Sequence, residues 1–478
     1  MAKLVIMILM KTHTLSWSSL ALLAPLLLAS CSSDTPDAGD SGSSGDSGSE
    51  TDAPEGASAS EAADPSDRET SEAGGPAPRL AVTHEGGVAV VDGATLEVLE
   101  DFPAEGFLRV SPAGDGRHFF LTEGETFRLL DGGTWGEPHG DHNHYYATDP
   151  FLSDITVEGD TPGHVVGHDG RGALFFDGSG EIAEFDLTDL DVTGELETES
   201  ASTDEAHHGV AVPLDDGGRV ETLGDSETRS GARVLDGEGE EVARNEDCPG
   251  IHGETGGPDG TVAFGCEDGV LIWDGDEFTT IKADEDYARS GNLFAHPDSG
   301  VLLGDYNEDP DSEEPMTSVA LFDVEGEEMT TVDVGSAYNF RSLARGPEGE
   351  ALVLAEDGIL HVYDADSGET LDEIEVLESW TEPEEWQEPR PAIRVVDDIA
   401  YITDPSEQEL HMVDLVEGEV VNSAELDIEP NELAVVDGRP VEGVTPEQDD
   451  DDHDHEDGSD DHDHDGHDHD EEHDDHDH

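Results

Sequence analysis

One turn–strand–turn–strand pattern recurs along this chain at a fixed interval. Gly257-Pro258-Asp259-Gly260 opens a short apolar run ending at Cys266, and Glu267-Asp268-Gly269 then leads into Val270-Leu271-Ile272-Trp273-Asp274. The same order returns 89 residues later, from Gly346-Pro347-Glu348-Gly349 through Glu356-Asp357-Gly358 to Ile359-Leu360-His361-Val362-Tyr363-Asp364. A looser copy begins at Gly167-His168-Asp169-Gly170, with intermediate copies near Leu214-Asp215-Asp216-Gly217 and His296-Pro297-Asp298-Ser299-Gly300. The unit is therefore about 45 residues, the length of a four-stranded propeller blade. Between the turns, Val, Leu, Ile, Phe and Tyr fill short runs bounded by glycine-bearing turns, which is the hairpin signal. No stretch carries a helical period. The pattern predicts an all-β fold: a β-propeller of eight four-stranded blades, or alternatively seven, over residues 79–440. Two packed β-sandwiches are the competing architecture.

Both ends fall outside the repeat. Residues 1–30 read as a lipoprotein signal peptide, with lysines at the start, the apolar run Leu20 to Ala29, and no acidic residue before Cys31. Leu28-Ala29-Ser30-Cys31 resembles a bacterial lipobox, so Cys31 is the expected lipidation site; plain secretion with cleavage nearby is the alternative. Residues 31–78 are rich in Ser, Gly, Asp and Glu, too poor in apolar residues to offset ordering entropy, and read as a disordered acidic linker. These features place the protein outside the cytoplasm, lipid-anchored to the cell membrane. Lys and Arg total 19 against 121 Asp and Glu, a net charge of −102. No basic footprint for nucleic acid exists, and none for an anionic membrane surface, so the membrane is reached only through the lipid. A monomer is expected.

Histidine carries the chemical signal. Residues 441–478 read as a disordered metal-binding tail, whose last 30 residues hold nine His and 18 Asp or Glu. His453, His455, His462, His464, His467, His469, His473, His476 and His478 are the expected metal-capture ligands. A solvated acidic tail that merely contains His is the bland alternative. In the body, His208 and His252 lie 44 residues apart, each six residues before the same turn position, and His164 lies 44 before His208. Such positions start the innermost strands of neighbouring blades and converge at one channel mouth. The insertion His139-Gly140-Asp141-His142-Asn143-His144 is expected as a long loop on that same face. The candidate metal ligands are thus His142, His144, His164, His207, His208 and His252, with Glu254 as an oxygen donor. Zn²⁺, which takes four ligands in a tetrahedron, fits such a set; Cu²⁺ and Ni²⁺ fit imidazole as well. The bland alternative is that each His makes an ordinary loop or channel hydrogen bond. Affinity is expected to fall as pH drops through about 6.5, where imidazole protonates.

Cys248 and Cys266 are the thiols left after lipidation, and outside the cytoplasm an even pair is expected to form a disulfide, with thiolate ligation as the alternative. No nucleophile motif stands out, and the five Trp lack the regular spacing of quinone-dependent propellers, so an enzyme is not expected.

The leader, the repeat, His142-Asn143-His144, His207-His208-Gly209-Val210-Ala211-Val212 and Ile251-His252-Gly253 together resemble the AztD-type zinc metallochaperones. The resemblance covers residues 80 to 440. It implies a β-propeller that binds zinc outside the cytoplasm and delivers it to the solute-binding protein of a zinc ABC importer. The expected lipid anchor and the long C-terminal His tract depart from that pattern. A surface metal store, or a structural or adhesive propeller lipoprotein without a tight metal site, are the alternatives.

Overall fold

The structure, a computed structural model, describes residues 65–256, 261–310, 315–441 and 443–444. Cys31, the signal peptide and the tail histidines lie outside the described residues. Those residues form strands with two short 3-10 turns and no α-helix, and no helix among them is long and apolar enough to cross a membrane.

Most strands are grouped in four-stranded antiparallel sheets that follow one another along the sequence. The burial pattern explains the composition of each sheet. Middle strands such as Gly87–Asp92, Val262–Cys266 and Ala351–Ala355 are buried on both faces. They therefore read as continuous Val, Ala and Leu runs rather than as alternating ones. Last strands such as Val98–Pro103 and Glu419–Glu425 are largely exposed and carry the carboxylates. The glycine turns are obligatory in places: Gly358 has φ +84°, and a Cβ there would collide with the Leu377 carbonyl.

Successive sheets pack face to face. Phe120, Phe127, Leu174, Phe176 and Phe185 lock the second sheet to the third. Val210, Val220, Phe264 and Leu271 join the fourth to the fifth. The last sheet packs on the first through Leu80, Val82, Tyr401 and Leu410, and the Tyr401 hydroxyl donates to the Gly93 carbonyl at 3.0 Å. The C-terminal strand Leu433–Val436 pairs with Arg79–His84, in register Val82 to Leu433, and completes the first sheet.

One sheet has seven strands, from Leu293–His296 to Thr370–Glu375. It contains the 18-residue strand Glu328–Arg345. The first part of that strand pairs with Met316–Asp323 and its end pairs with Ala351–Ala355, with a register shift between Tyr338 and Leu343.

Two boundaries move. The 31–78 linker is not uniformly free of structure, because Ser71–Ala73 pairs with His142–Ala147 and Arg68 is tied to buried Asp131 at 2.8 Å. At the other end, Val444 is 7% exposed and packs with Ala113 and Leu187, so the body extends beyond 440. Apolar side chains at Ala113, Leu187 and Val444, invisible to a composition-based cut, set that limit. Cys248 and Cys266 form the expected disulfide, with Cα atoms 5.0 Å apart.

Candidate metal centre

Two groups of three imidazoles each bring their ligand atoms within 4.8 Å of one another: His164, His208 and His252, and His139, His142 and His144.

The first group comes from three successive sheets. His164 lies in Pro162–His168, beside a register shift between Pro162 and Val165. His252 opens His252–Gly256 beside a second shift, between His252 and Glu254. There Gly253 sits at φ +62°, where a Cβ would collide with the Gly291 carbonyl. Such bulges aim a side chain out of the regular pleat. His208 stands three residues ahead of Ala211–Pro213.

Each ring has its Nδ1 occupied from outside the group. His164 Nδ1–H donates to the Gly209 carbonyl at 2.9 Å, and His252 Nδ1–H to the Gly291 carbonyl at 2.5 Å. His208 Nδ1–H donates to the Asp177 carboxylate at 2.5 Å. Those acceptors fix one tautomer, leaving every Nε2 as the ligand atom, as outer partners of metal-bound histidines do. His208 Nε2 and His252 Nε2 are 2.9 Å apart. Two nitrogens on one tetrahedral zinc are about 3.3 Å apart given Zn–N near 2.05 Å, so the pair needs only to part slightly to share an ion.

The group opens into a cavity of about 720 Å³ that also exposes Arg109, Glu254 and Trp386. Burial, reinforced by the charges of His208 and Arg109, pushes His164 down to about 4. Burial likewise takes His252 down to about 3, against the opposing bond to Gly291. Glu254, also desolvated, is pushed up to about 7. It lines the same cavity but stands outside the three-ring group.

Acid weakens the metal-free fold through these two rings. Below the ordinary 6.5, the unfolded chain protonates at both positions, whereas the folded chain resists until about 4 and about 3. The unfolded state therefore binds more protons in that window, and the metal-free protein loses stability as pH falls through it. Glu254 acts oppositely: its folded form holds a proton from 4.5 to about 7, so its contribution declines as pH rises there. We expect the urea midpoint of metal-free protein to drop on acidification below pH 6.5, and His164→Gln with His252→Gln to flatten that limb. An unchanged acid limb in the double variant would contradict this account. For these two rings, the simple loss of ligand capacity through pH 6.5 does not hold.

His207 is not part of either group. It is 3% exposed. Its Nδ1–H donates to the Glu205 carbonyl at 2.9 Å, and its Nε2 meets the Thr222 hydroxyl at 2.9 Å. Both of its ring nitrogens are thus engaged by Glu205 and Thr222, away from the three-ring group.

The second group is a hairpin rather than a loop. Thr134–His139 and His142–Ala147 pair with His139 opposite His142, and Gly140 takes φ +60° in the turn. His142 and His144, two residues apart, share a face with His139. Their ring centroids lie 4.9 to 5.4 Å apart. His144 Nδ1 faces Glu72 of the added strand at 3.4 Å, and His142 Nδ1 faces Asp141 at 3.3 Å. His139 is the residue the H-x-H spacing alone does not select. The signal for it was the two-residue Gly140-Asp141 turn, which folds His139 back across His142.

The hairpin does not join the cavity group, because it leaves the wrong end of its sheet. It is inserted after Asp131, which pairs with His118 and Phe151, beside the Ala113–Arg117 turn. Arg109 lies at the other end, where Leu108 pairs with Glu123. Arg109 lines the cavity from that end. The C-terminal segment also runs past the hairpin end: Gly438 N–H donates to the Gly116 carbonyl at 2.9 Å, and the Gly136 backbone abuts Gly438 and Pro440.

No family model matches this sequence. The chain is 26% identical over 381 residues to the zinc chaperone AztD of Citrobacter koseri (strain ATCC BAA-895 / CDC 4225-83 / SGSC4696), spanning 77% of this chain and 87% of that protein. The crystal structure of Citrobacter koseri AztD superposes with a TM-score of 0.67 at 24% identity, covering 77% of this chain and 99% of that one. Its apo form gives 0.66 at 24% identity, covering 76% and 98%. The resemblance read from the sequence is upheld, and the all-β fold is shared. The relative carries the name of a metal chaperone, not of an enzyme.

Proposed function

We propose that this protein is an extracytoplasmic zinc metallochaperone. The observation that carries the reading is the cavity group: three Nε2 atoms turned toward one point, each fixed by an outward Nδ1 acceptor. The name of the 26%-identical relative supports zinc as the cargo. The scaffold is an eight-bladed β-propeller. The shared strand of the seven-stranded sheet supports counting it as two blades, and the Leu433–Val436 pairing supports closure. His164, His208 and His252 hold one zinc tightly, with Glu254 lining the same cavity outside the three-ring group. His139, His142 and His144 hold a second on the surface.

The tail histidines capture metal and load the hairpin. Val444 is nine residues from His453, a span of at most about 30 Å for nine residues. Its packing beside Ala113 supports exit at the hairpin end. Tethering at that distance raises the local ligand concentration into the millimolar range. Cys31 carries the lipid after removal of residues 1–30, and the metal passes to the solute-binding protein of a zinc ABC importer.

Deleting residues 449–478 is expected to remove most weakly bound zinc while tightly held zinc stays with the body. A truncated protein that binds no zinc above background would end this reading. A store separates from a chaperone by rate: transfer to the importer's binding protein must outrun spontaneous dissociation.

A further inference from the structure

The cavity beside the three imidazoles is chemically at odds with the rest of the molecule. Across the chain, acidic residues outnumber Lys and Arg by 121 to 19. Around this cavity the balance reverses: Arg109, Arg289, Arg341 and Arg394 face Glu254, Asp305 and Glu432. Two of those carboxylates are already committed. Asp305 accepts from the Gly291 and Asn292 amides, and Glu432 accepts from Arg341 at 2.7 Å.

Arg341 is committed as well, donating to Asn431 besides Glu432, but the other three guanidiniums are less so. Among the described residues, Arg109 is met by Glu432 at 4.0 Å. Arg289 donates its side-chain bond to the Gly250 carbonyl, and Arg394 to its neighbour's carbonyl at Ile393. Each guanidinium has five N–H donors, so most of this capacity remains for a ligand.

A divalent ion on three neutral imidazoles keeps its full charge and lacks a fourth ligand. Arginines alongside make that worse unless an anion is present. We infer that the cavity binds a small multivalent oxyanion, a carboxylate or a phosphate, with one oxygen completing the metal's coordination and the others held by Arg109 and Arg289. Guanidinium forks match the oxygen pairs of such anions. The cavity's volume, about 720 Å³, accommodates a small organic acid as well as inorganic phosphate. The metal is thus held as a ternary complex, and anion supply sets how firmly it stays. This rests on the cavity group being a metal site.

The test uses less than one equivalent of Co²⁺, which the tight cavity site takes ahead of the tail, in the full-length chain carrying His142→Ala and His144→Ala, which silences the hairpin. Four-coordinate Co²⁺ gives intense visible bands that report its fourth ligand. Succinate and inorganic phosphate, titrated separately, distinguish the two sources. The expected result is a saturable band shift with at least one of them, and slower metal loss to a chelator in its presence, since the coupling is reciprocal. Arg109→Gln with Arg289→Gln should raise the half-saturating anion concentration about tenfold per guanidinium removed, from the worth of a charged hydrogen bond. Intense bands that neither anion moves would overturn the anion site and leave the metal site standing. Absence of intense bands would overturn both. The titration of the chain with all its arginines intact stands even if the double Arg variant does not fold.

Discussion

His252→Ala lowers the affinity of the tight zinc site about hundredfold. Structural zinc sites bind with roughly 10–16 kcal/mol spread over four ligands, so each ligand carries about 3 kcal/mol. His208→Ala should match it. Asp177→Ala should cost about 10–100-fold, because the carboxylate orients His208 without touching the ion. His207→Ala should leave tight binding in place, since both of its ring nitrogens are engaged elsewhere. Competition against a chelator of known affinity measures all four. Equal losses for the buried His207 and the cavity rings would mean that folding, not ligation, was being read.

Asp131→Ala is expected to be the most destabilising single change, at about 3–5 kcal/mol, the usual result of removing one partner of a buried ion pair. Asp131 is 0% exposed. It accepts from Arg117 at 2.9 and 2.7 Å, from Arg68 at 2.8 Å and from the Gly133 amide at 2.8 Å. Its burial alone would raise its pKa, but the bonds and charges of Arg117, His118 and Arg68 outweigh that and hold the carboxyl well below the usual range. Its contribution is therefore fully present above about pH 4 and is lost as pH falls through the acid range. Denaturant melts of the variant at neutral and acid pH check both parts: the deficit should be large at pH 7 and should shrink on acidification. Because Arg68 leads into Ser71–Ala73, the variant should also loosen the strand that brings Glu72 to His144. Zinc loss at the hairpin before global unfolding would report it.

Much of the fold was readable from spacing. Turns with Asp-Gly and strands of uninterrupted Val, Leu and Ala follow from sheets that are covered on both faces, so the period in sequence is the period in space. Equal spacing of 44 residues brought His164, His208 and His252 together for the same reason. His207 was misread because the spacing locates a backbone position without saying which of two adjacent side chains points inward. The hairpin was misplaced because an insertion adds length without revealing which end of its sheet it leaves from. Only the pairing of Asp131 with His118 and Phe151 fixes that. Residues 65–78 were assigned to the tether because their anchoring depends on Arg68 and Glu72 meeting groups distant in sequence.

The pairing of Val82 with Leu433 also dictates when this protein can be finished. The first sheet forms from residues delivered early, yet its edge partner arrives about 350 positions later. Until then Arg79–His84 is an unprotected edge, open to pairing with another chain. Synthesis interrupted before residue 433 would therefore yield aggregation-prone product rather than a shortened working protein, whereas cleavage after Val444 spares each of these sheets and removes only the His-rich tail.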